Sequence, residues 1–207
     1  MKELKFRTLR ADEIECRVGQ ATEKGLTLLL YKTSQTDVAL LIETVGPNNW
    51  TNEPKIVDGN LWMGIGIWDE DKKDYVWKWS VGTESNMEAQ KGEDSDAIKR
   101  AGFRWGIGLE LYSSPFVYIP ADKCHIIQRN GRYTTYDKFK VAKISYDKNR
   151  KINGLKIINE SLKGDDKTVF SFVTKSLAEE LKKQAESRKK KVREKIQEAI
   201  DKVREES

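Results

Sequence analysis

Histidine is almost absent. His125 is the only one in 207 residues, which removes His-based catalytic triads and most zinc sites from consideration. Cysteine is nearly as scarce. Cys16 and Cys124 cannot make a disulfide framework and read as reduced thiols of a cytosol. No run approaches the ~20 apolar residues of a membrane span, and the opening MKELKFRTLR lacks the apolar core of a signal peptide. The expected location is therefore cytoplasmic, with no membrane partner. A phosphate-binding G-x-x-x-x-G-K-S/T loop is also missing, and the GIG strings at Gly64–Gly66 and Gly106–Gly108 lack the third glycine of a dinucleotide fingerprint. No cofactor is expected.

Charge is what the chain has in abundance. Charged residues make up 34% of it and hydrophobic ones 38%, so a core can form beneath a heavily charged surface. The net charge is +5, but the stretch from Lys182 to Ser207 alone holds ten Lys/Arg and six Asp/Glu. That leaves about +1 for the body. An anionic partner would have to be met by a local patch of cations.

Hydrophobic periodicity gives an α+β chain. Thr8 to Gly19 reads as a short helix with Leu9, Ile14 and Val18 on its buried side, and Arg17 off that side. Gly25 to Lys32, GLTLLLYK, reads as a buried strand. Ser34 caps a helix whose Val38, Leu41, Ile42 and Val45 share one face, and Gly46–Pro47 ends it. A β meander follows: Trp50–Val57, Asn60–Trp68 and Tyr75–Val81, with Asp58–Gly59 as a two-residue hairpin turn. Leu61, Met63, Ile65 and Ile67 take one face of its middle strand, and Trp62, Gly64, Gly66 and Trp68 the other. Glycines at alternate positions leave room for a helix or another backbone. The tryptophans at 62, 68, 77 and 79 suit core or subunit contacts better than base stacking. DEDKKD, from Asp69 to Asp74, reads as a solvated turn rather than a metal loop.

The rest of the chain organises around Ser85 to Tyr112. Ser85 and Glu88 have capping-box spacing, with Asp94, Ser95 and Asp96 as a later start, and Ile98, Ala101 and Trp105 form one apolar stripe. Gly106 and Gly108 close the helix. Lys99, Arg100 and Arg104 stand off the stripe beside Phe103. Such a row of cations next to an aromatic suits nucleic acid. It also suits a solvated helix face in which Asp96 pairs with Arg100. Beyond Tyr112, SSPFVYIP is extended, Asn130–Gly131 marks a hairpin, and Phe139–Tyr146, Ile152–Ile158 and Thr168–Val173 read as strands. From Ser176 a charged helix with a thin apolar stripe is expected, and its Arg188–Arg193 run either touches phosphates or is solvated. The domain division expected is 1–120, a β-hairpin extension over 121–175, and a helical tail over 176–207.

Val81–Gly82, Ser95-Asp96, Lys99-Arg100-Ala101, Trp105 and Gly106, preceded by Arg17 in DEIECR and by Gly46, Asn48 and Trp50, resemble in order and spacing the Rad-fifty-two family of single-strand annealing proteins, which includes phage Sak-type recombinases. The likeness runs from about Ala11 to Tyr112. It implies an antiparallel β meander with a helix packed across it, assembled as a homo-oligomeric ring in the cytoplasm of a bacterial host. It implies binding of single-stranded DNA and ATP-independent annealing during phage or prophage recombination and double-strand break repair, with no enzymatic step. The DNA-binding candidates it carries are Arg17, Lys99 and Arg100, with Arg104 one place after the family's next groove arginine, which falls at Phe103. The C-terminal tail is a candidate contact for a single-strand-binding protein. A nucleic-acid-binding module without annealing activity, or an assembly protein on the same fold, are the alternatives.

Overall fold

The structure is a computed structural model that describes residues 4–82 and 89–205, and side chains over 4–82 and 94–196. Among the described residues it is α+β, with antiparallel sheets and three α-helices. The chain divides into two units, Met1–Ser171 and Phe172–Ser207.

In the first unit, strands β1 (Glu15–Thr22) and β2 (Gly25–Tyr31) form a hairpin. The helix expected over Thr8–Gly19 does not form: only Ala11–Glu13 makes a 3-10 turn before β1 begins. The acidic ADEIE run looks like a helix start, but Cys16 and Val18 face inward at period two while Glu15 and Arg17 are exposed. Long-range pairing to β2 overrides the local signal. Four later strands join the same sheet: β6 (Val117–Pro120), β9 (Phe139–Tyr146), β10 (Ile152–Asn159) and β11 (Thr168–Val173). The strand order is β11-β10-β9-β1-β2-β6. The residues expected as a separate extension over 121–175 thus build half of this sheet instead. Leu26, Leu28, Val117, Ile119, Val141 and Ile157 bury its inner face.

Helix α1 (Ser34–Val45) begins one residue after the Thr33 cap, whose side chain accepts from the Thr36 N–H. The cap is therefore Thr33 rather than Ser34. Its buried face is Asp37, Leu40 and Leu41, while Ile42 is exposed, so the stripe is rotated from the expected one. Gly46 ends the helix at φ 83°.

A second, three-stranded sheet holds β3 (Trp50–Val57), β4 (Asn60–Asp69) and β5 (Asp74–Val81) in the order β3-β4-β5. Asp58 and Gly59 have φ of 51° and 76°, as a tight hairpin turn requires. β3 lies at the edge and carries Pro54. Helix α2 (Ala89–Arg104) packs on β4 and β5. Its Ala97 and Ala101 are fully buried, and Met63, Ile65 and Ile67 on β4 are buried as well. Trp105 then donates its indole N–H to the Ile65 carbonyl at 2.9 Å. Asp94, Ser95 and Asp96 are interior to α2, which rules out a start there. Ser85 and Glu88 lie outside the described residues.

The alternate glycines do not serve the helix. Gly64 and Gly66 pair with Trp79 and Trp77 on the face away from the Met63–Ile65–Ile67 row. A Cβ on Gly64 would sit 2.7 Å from the Trp79 ring. The absent side chains let the indoles lie flat on the sheet, where Trp77 and Trp79 stack at 5.5 Å and 25° and Trp68 meets Tyr75 at 5.3 Å. Gly64→Ala is expected to cost ~1–3 kcal/mol through overpacking. Thermal unfolding should show it as a drop of roughly 2–4 °C per kcal/mol.

Strands β7 (Ile127–Arg129) and β8 (Arg132–Thr134) form a separate two-stranded hairpin. In the second unit, helix α3 (Lys175–Glu205) follows β11. Leu181, Val192 and Ile196 are exposed along it, as is the basic run Arg188–Arg193. No helix among the described residues is long and apolar enough to cross a membrane.

Candidate nucleic-acid interface

An open cleft of about 510 Å³ lies between the end of β2 and the exposed side of α2. Leu29 to Lys32 form one wall, and Asp96, Lys99, Arg100 and Phe103 the other. Leu111 and Tyr112, from the 3-10 turn Leu109–Ser113, close one end. Position on a strand decides which β2 side chains face outward. Leu29 and Tyr31 pair with Arg17 and Glu15 of β1, so these four share the solvent side of the sheet. Leu29 is 59% exposed and Tyr112 77% exposed. The Tyr112 ring meets Phe103 at 5.0 Å, which gives the cleft an aromatic end.

The cations are held by a carboxylate. Arg100 donates through Nε to Asp96 at 2.7 Å, and the Lys99 Nζ stands 3.7 Å from the same side chain. Spacings of four and three residues put all three on one helix face. The Asp96–Arg100 pairing allowed by the sequence is therefore formed, yet Arg100 remains exposed above it.

Beneath this row is a buried ion pair. Lys32 is 1% exposed and Asp37 0%. The Lys32 ammonium donates to both Asp37 oxygens at 2.5 and 2.6 Å and to the Lys99 carbonyl at 3.2 Å. It also lies 4.2 Å from the centre of the Phe103 ring. Burial pushes the Asp37 carboxyl up to about 6 against the pull of Lys32, and burial likewise pushes the Lys32 ammonium below its ordinary value. Two glycines make the pair possible. A Cβ on Gly102 would collide with the Asp37 carboxylate, and one on Gly108 would come within 2.7 Å of the Lys32 stem. Gly108 also holds φ at 74°. The GFRWGIG string thus brings α2 down onto the Lys32–Asp37 pair.

Of the four candidate cations, Lys99 and Arg100 line the cleft together. Arg17 lies next to it, on the strand beside Leu29. Arg104 does not line it: one residue past Phe103, its side chain turns about 100° away on a helix of ~3.6 residues per turn. The Arg104 carbonyl instead receives Lys78 at 2.8 Å, and Lys78 covers the Trp105 ring at 4.6 Å.

Sequence reasoning did not find Lys32, Asp37, Leu29 or Tyr112. One signal was present for the first two. Asp37 sits three and four residues before Leu40 and Leu41, an acid on the apolar stripe of α1, and Lys32 ends an apolar strand just upstream. A buried charge demands a partner.

Among the described residues no cluster of three or more His, Cys, Asp or Glu could hold a metal. The cleft offers the exposed Arg100 and the half-buried Lys99, three aromatic rings and an apolar strand end, which is equipment for binding an extended polyanion with flat bases. No family profile matches the chain, and no curated protein matches its sequence.

Proposed function

We propose that this chain is a single-strand annealing protein of the Rad-fifty-two family, which binds single-stranded DNA and pairs complementary strands without ATP in phage or prophage recombination and double-strand break repair. The observation that carries the reading is the cleft that Lys99, Arg100, Phe103 and Tyr112 line together, opposite a strand whose neighbour presents Arg17. Two complementary strands repel through their phosphates. Cations that hold one backbone lower that repulsion while leaving base edges free for a partner strand. No bond is made or broken, so the reaction needs placement and charge only.

A ring repeats weak phosphate contacts and adds them through avidity. It requires two different surfaces on each copy, since a head-to-tail contact joins unlike patches. The first unit carries two unlike apolar surfaces. One is the half-buried indole face of the three-stranded sheet, and the other holds the exposed Phe116 and Tyr118 on and beside the six-stranded sheet. Their presence supports a homo-oligomer.

The test is annealing of two complementary dye-labelled oligonucleotides without nucleotide, run alongside light scattering. The expected result is a second-order pairing rate well above that of free DNA, from a particle many protomers in size. A lone monomer with no preference for unpaired DNA would overturn the proposal. Tight binding with no acceleration of pairing would reduce it to a nucleic-acid-binding module.

A further inference from the structure

The β7–β8 hairpin presents two arginines that repel one another and have no carboxylate between them. Arg129 and Arg132 are directly paired across the ribbon, on either side of the Asn130–Gly131 turn. Like charges directly opposite one another destabilise a strand pair. Among the described residues neither arginine makes an ion pair. Arg129 donates only to the Tyr136 hydroxyl, at 3.0 Å. From residue 123 to residue 140 there are five Lys/Arg and a single acid, Asp137.

That acid is engaged elsewhere. Its carboxylate receives the His125 backbone N–H at 2.8 Å, the His125 ring at 2.8 Å and the Asn159 amide at 2.7 Å. His125 precedes β7, Asp137 follows β8, and Asn159 belongs to β10. Both ends of the hairpin are therefore clamped to the large sheet through one buried carboxylate. Burial alone would push Asp137 up, yet these hydrogen bonds hold it below the usual carboxylate range. On the face where Arg129 and Arg132 lie, Thr134 and Tyr136 line a shallow open concavity with them, and the Tyr136 ring is 70% exposed. Two arginines opposed on a braced ribbon, with a flat exposed ring beside them, have the donors and charge that an anion would need.

We propose that the β7–β8 hairpin is a second nucleic-acid contact, in which Arg129 and Arg132 hold phosphates of a nucleic-acid backbone. This inference rests on the reading of the chain as a nucleic-acid binder, but not on annealing or on the cleft at Lys99 and Arg100. A guanidinium pair recognises phosphate oxygens through parallel donors, and bound phosphates remove the repulsion the free hairpin carries. A two-stranded ribbon is also narrow enough for a duplex major groove, ~12 Å wide. The phosphodiester chemistry is common to single strands and duplex, so the experiment separates them.

The full-length protein and its Arg129→Gln/Arg132→Gln variant are titrated with a single-stranded oligonucleotide, the matching duplex and polyglutamate across a salt series. The variant no longer neutralises two phosphates, so the slope of log K against log salt becomes shallower by about 1.8 on duplex or about 1.4 on a single strand. Affinity for that form falls at least tenfold at low salt. The Arg129→Lys/Arg132→Lys variant keeps most of the slope, and circular dichroism verifies that all variants fold alike. Loss on either DNA supports the site and names the form it takes. An unchanged slope on both, or an equal loss on polyglutamate, overturns it. Lys99→Glu/Arg100→Glu, measured in parallel, reports on the cleft independently. If that variant alone loses DNA binding the hairpin proposal fails, and if the hairpin variant alone does, the cleft reading fails.

Discussion

A chain carrying Lys99→Glu and Arg100→Glu is expected to lose affinity for single-stranded DNA by about a hundredfold or more, while scattering light like the parent. Each cation that meets a phosphate makes a charge-assisted contact worth ~1.5–3 kcal/mol, and ~1.4 kcal/mol is tenfold in affinity. Reversal also adds repulsion. The single substitution Arg100→Ala should lower the salt slope by about 0.7, the value of one phosphate contact on a single strand. Asp96→Asn should act in the opposite direction. It releases Arg100 and Lys99 from the carboxylate that now braces them and removes a negative charge from the DNA's path. A gain of about two- to fivefold is expected, since a partly exposed pair holds at most ~1 kcal/mol. Arg104→Ala should change little, because Arg104 lies off the cleft. Titration of labelled oligonucleotide at several salt concentrations reads all four variants. Equal affinity for the double reversal and the parent would exclude this face of α2 as the DNA site.

Removing one member of the Lys32–Asp37 pair is expected to destabilise the fold by ~3–5 kcal/mol, because the other charge is left in a site with almost no access to water. Asp37→Ala and Lys32→Met should each show it as a large fall in the denaturation midpoint. The double variant Lys32→Met/Asp37→Leu should recover most of the loss, since an apolar pair of similar volume needs no desolvation. DNA binding should not recover with it. The Lys32 ammonium also holds the Lys99 carbonyl and lies over Phe103, so the double variant frees the turn of α2 that carries both cations. A protein stable but weak in binding would identify Lys32 as a positioning residue. Full recovery of binding would confine the pair to stability.

The elements that could be read from the sequence are those whose signals are local. The Leu61–Met63–Ile65–Ile67 alternation and the Asp58–Gly59 turn marked the meander, and Gly46 marked the end of α1. β1 could not be read in this way. Its ADEIE beginning has the composition of a helix start, and its strand character comes from β2 on one side and β9 on the other, the latter paired more than a hundred residues away. The same distance hid the sheet order, in which β9, β10 and β11 join strands from the start of the chain. In the cleft, Lys99, Arg100 and Phe103 share one helix, so their grouping follows from helical spacing. Leu29 and Tyr112 arrive from other elements, and no periodicity connects them to α2. Gly64 and Gly66 were visible as glycines, but which face they emptied depended on the tryptophans across the strand pair.

Pro54 has a consequence for how copies of this chain can meet. β3 is eight residues long and lies at the rim of its sheet with most of its length open to solvent. Such a strand would ordinarily template fibril-like growth, each newcomer extending the backbone ladder. A proline at its centre has no N–H to offer, and Lys55 beside it adds a charge. Stacking by lateral strand addition is therefore interrupted midway along that rim, and crowded copies are steered toward side-chain contact, a mode of association that can close on itself and stop.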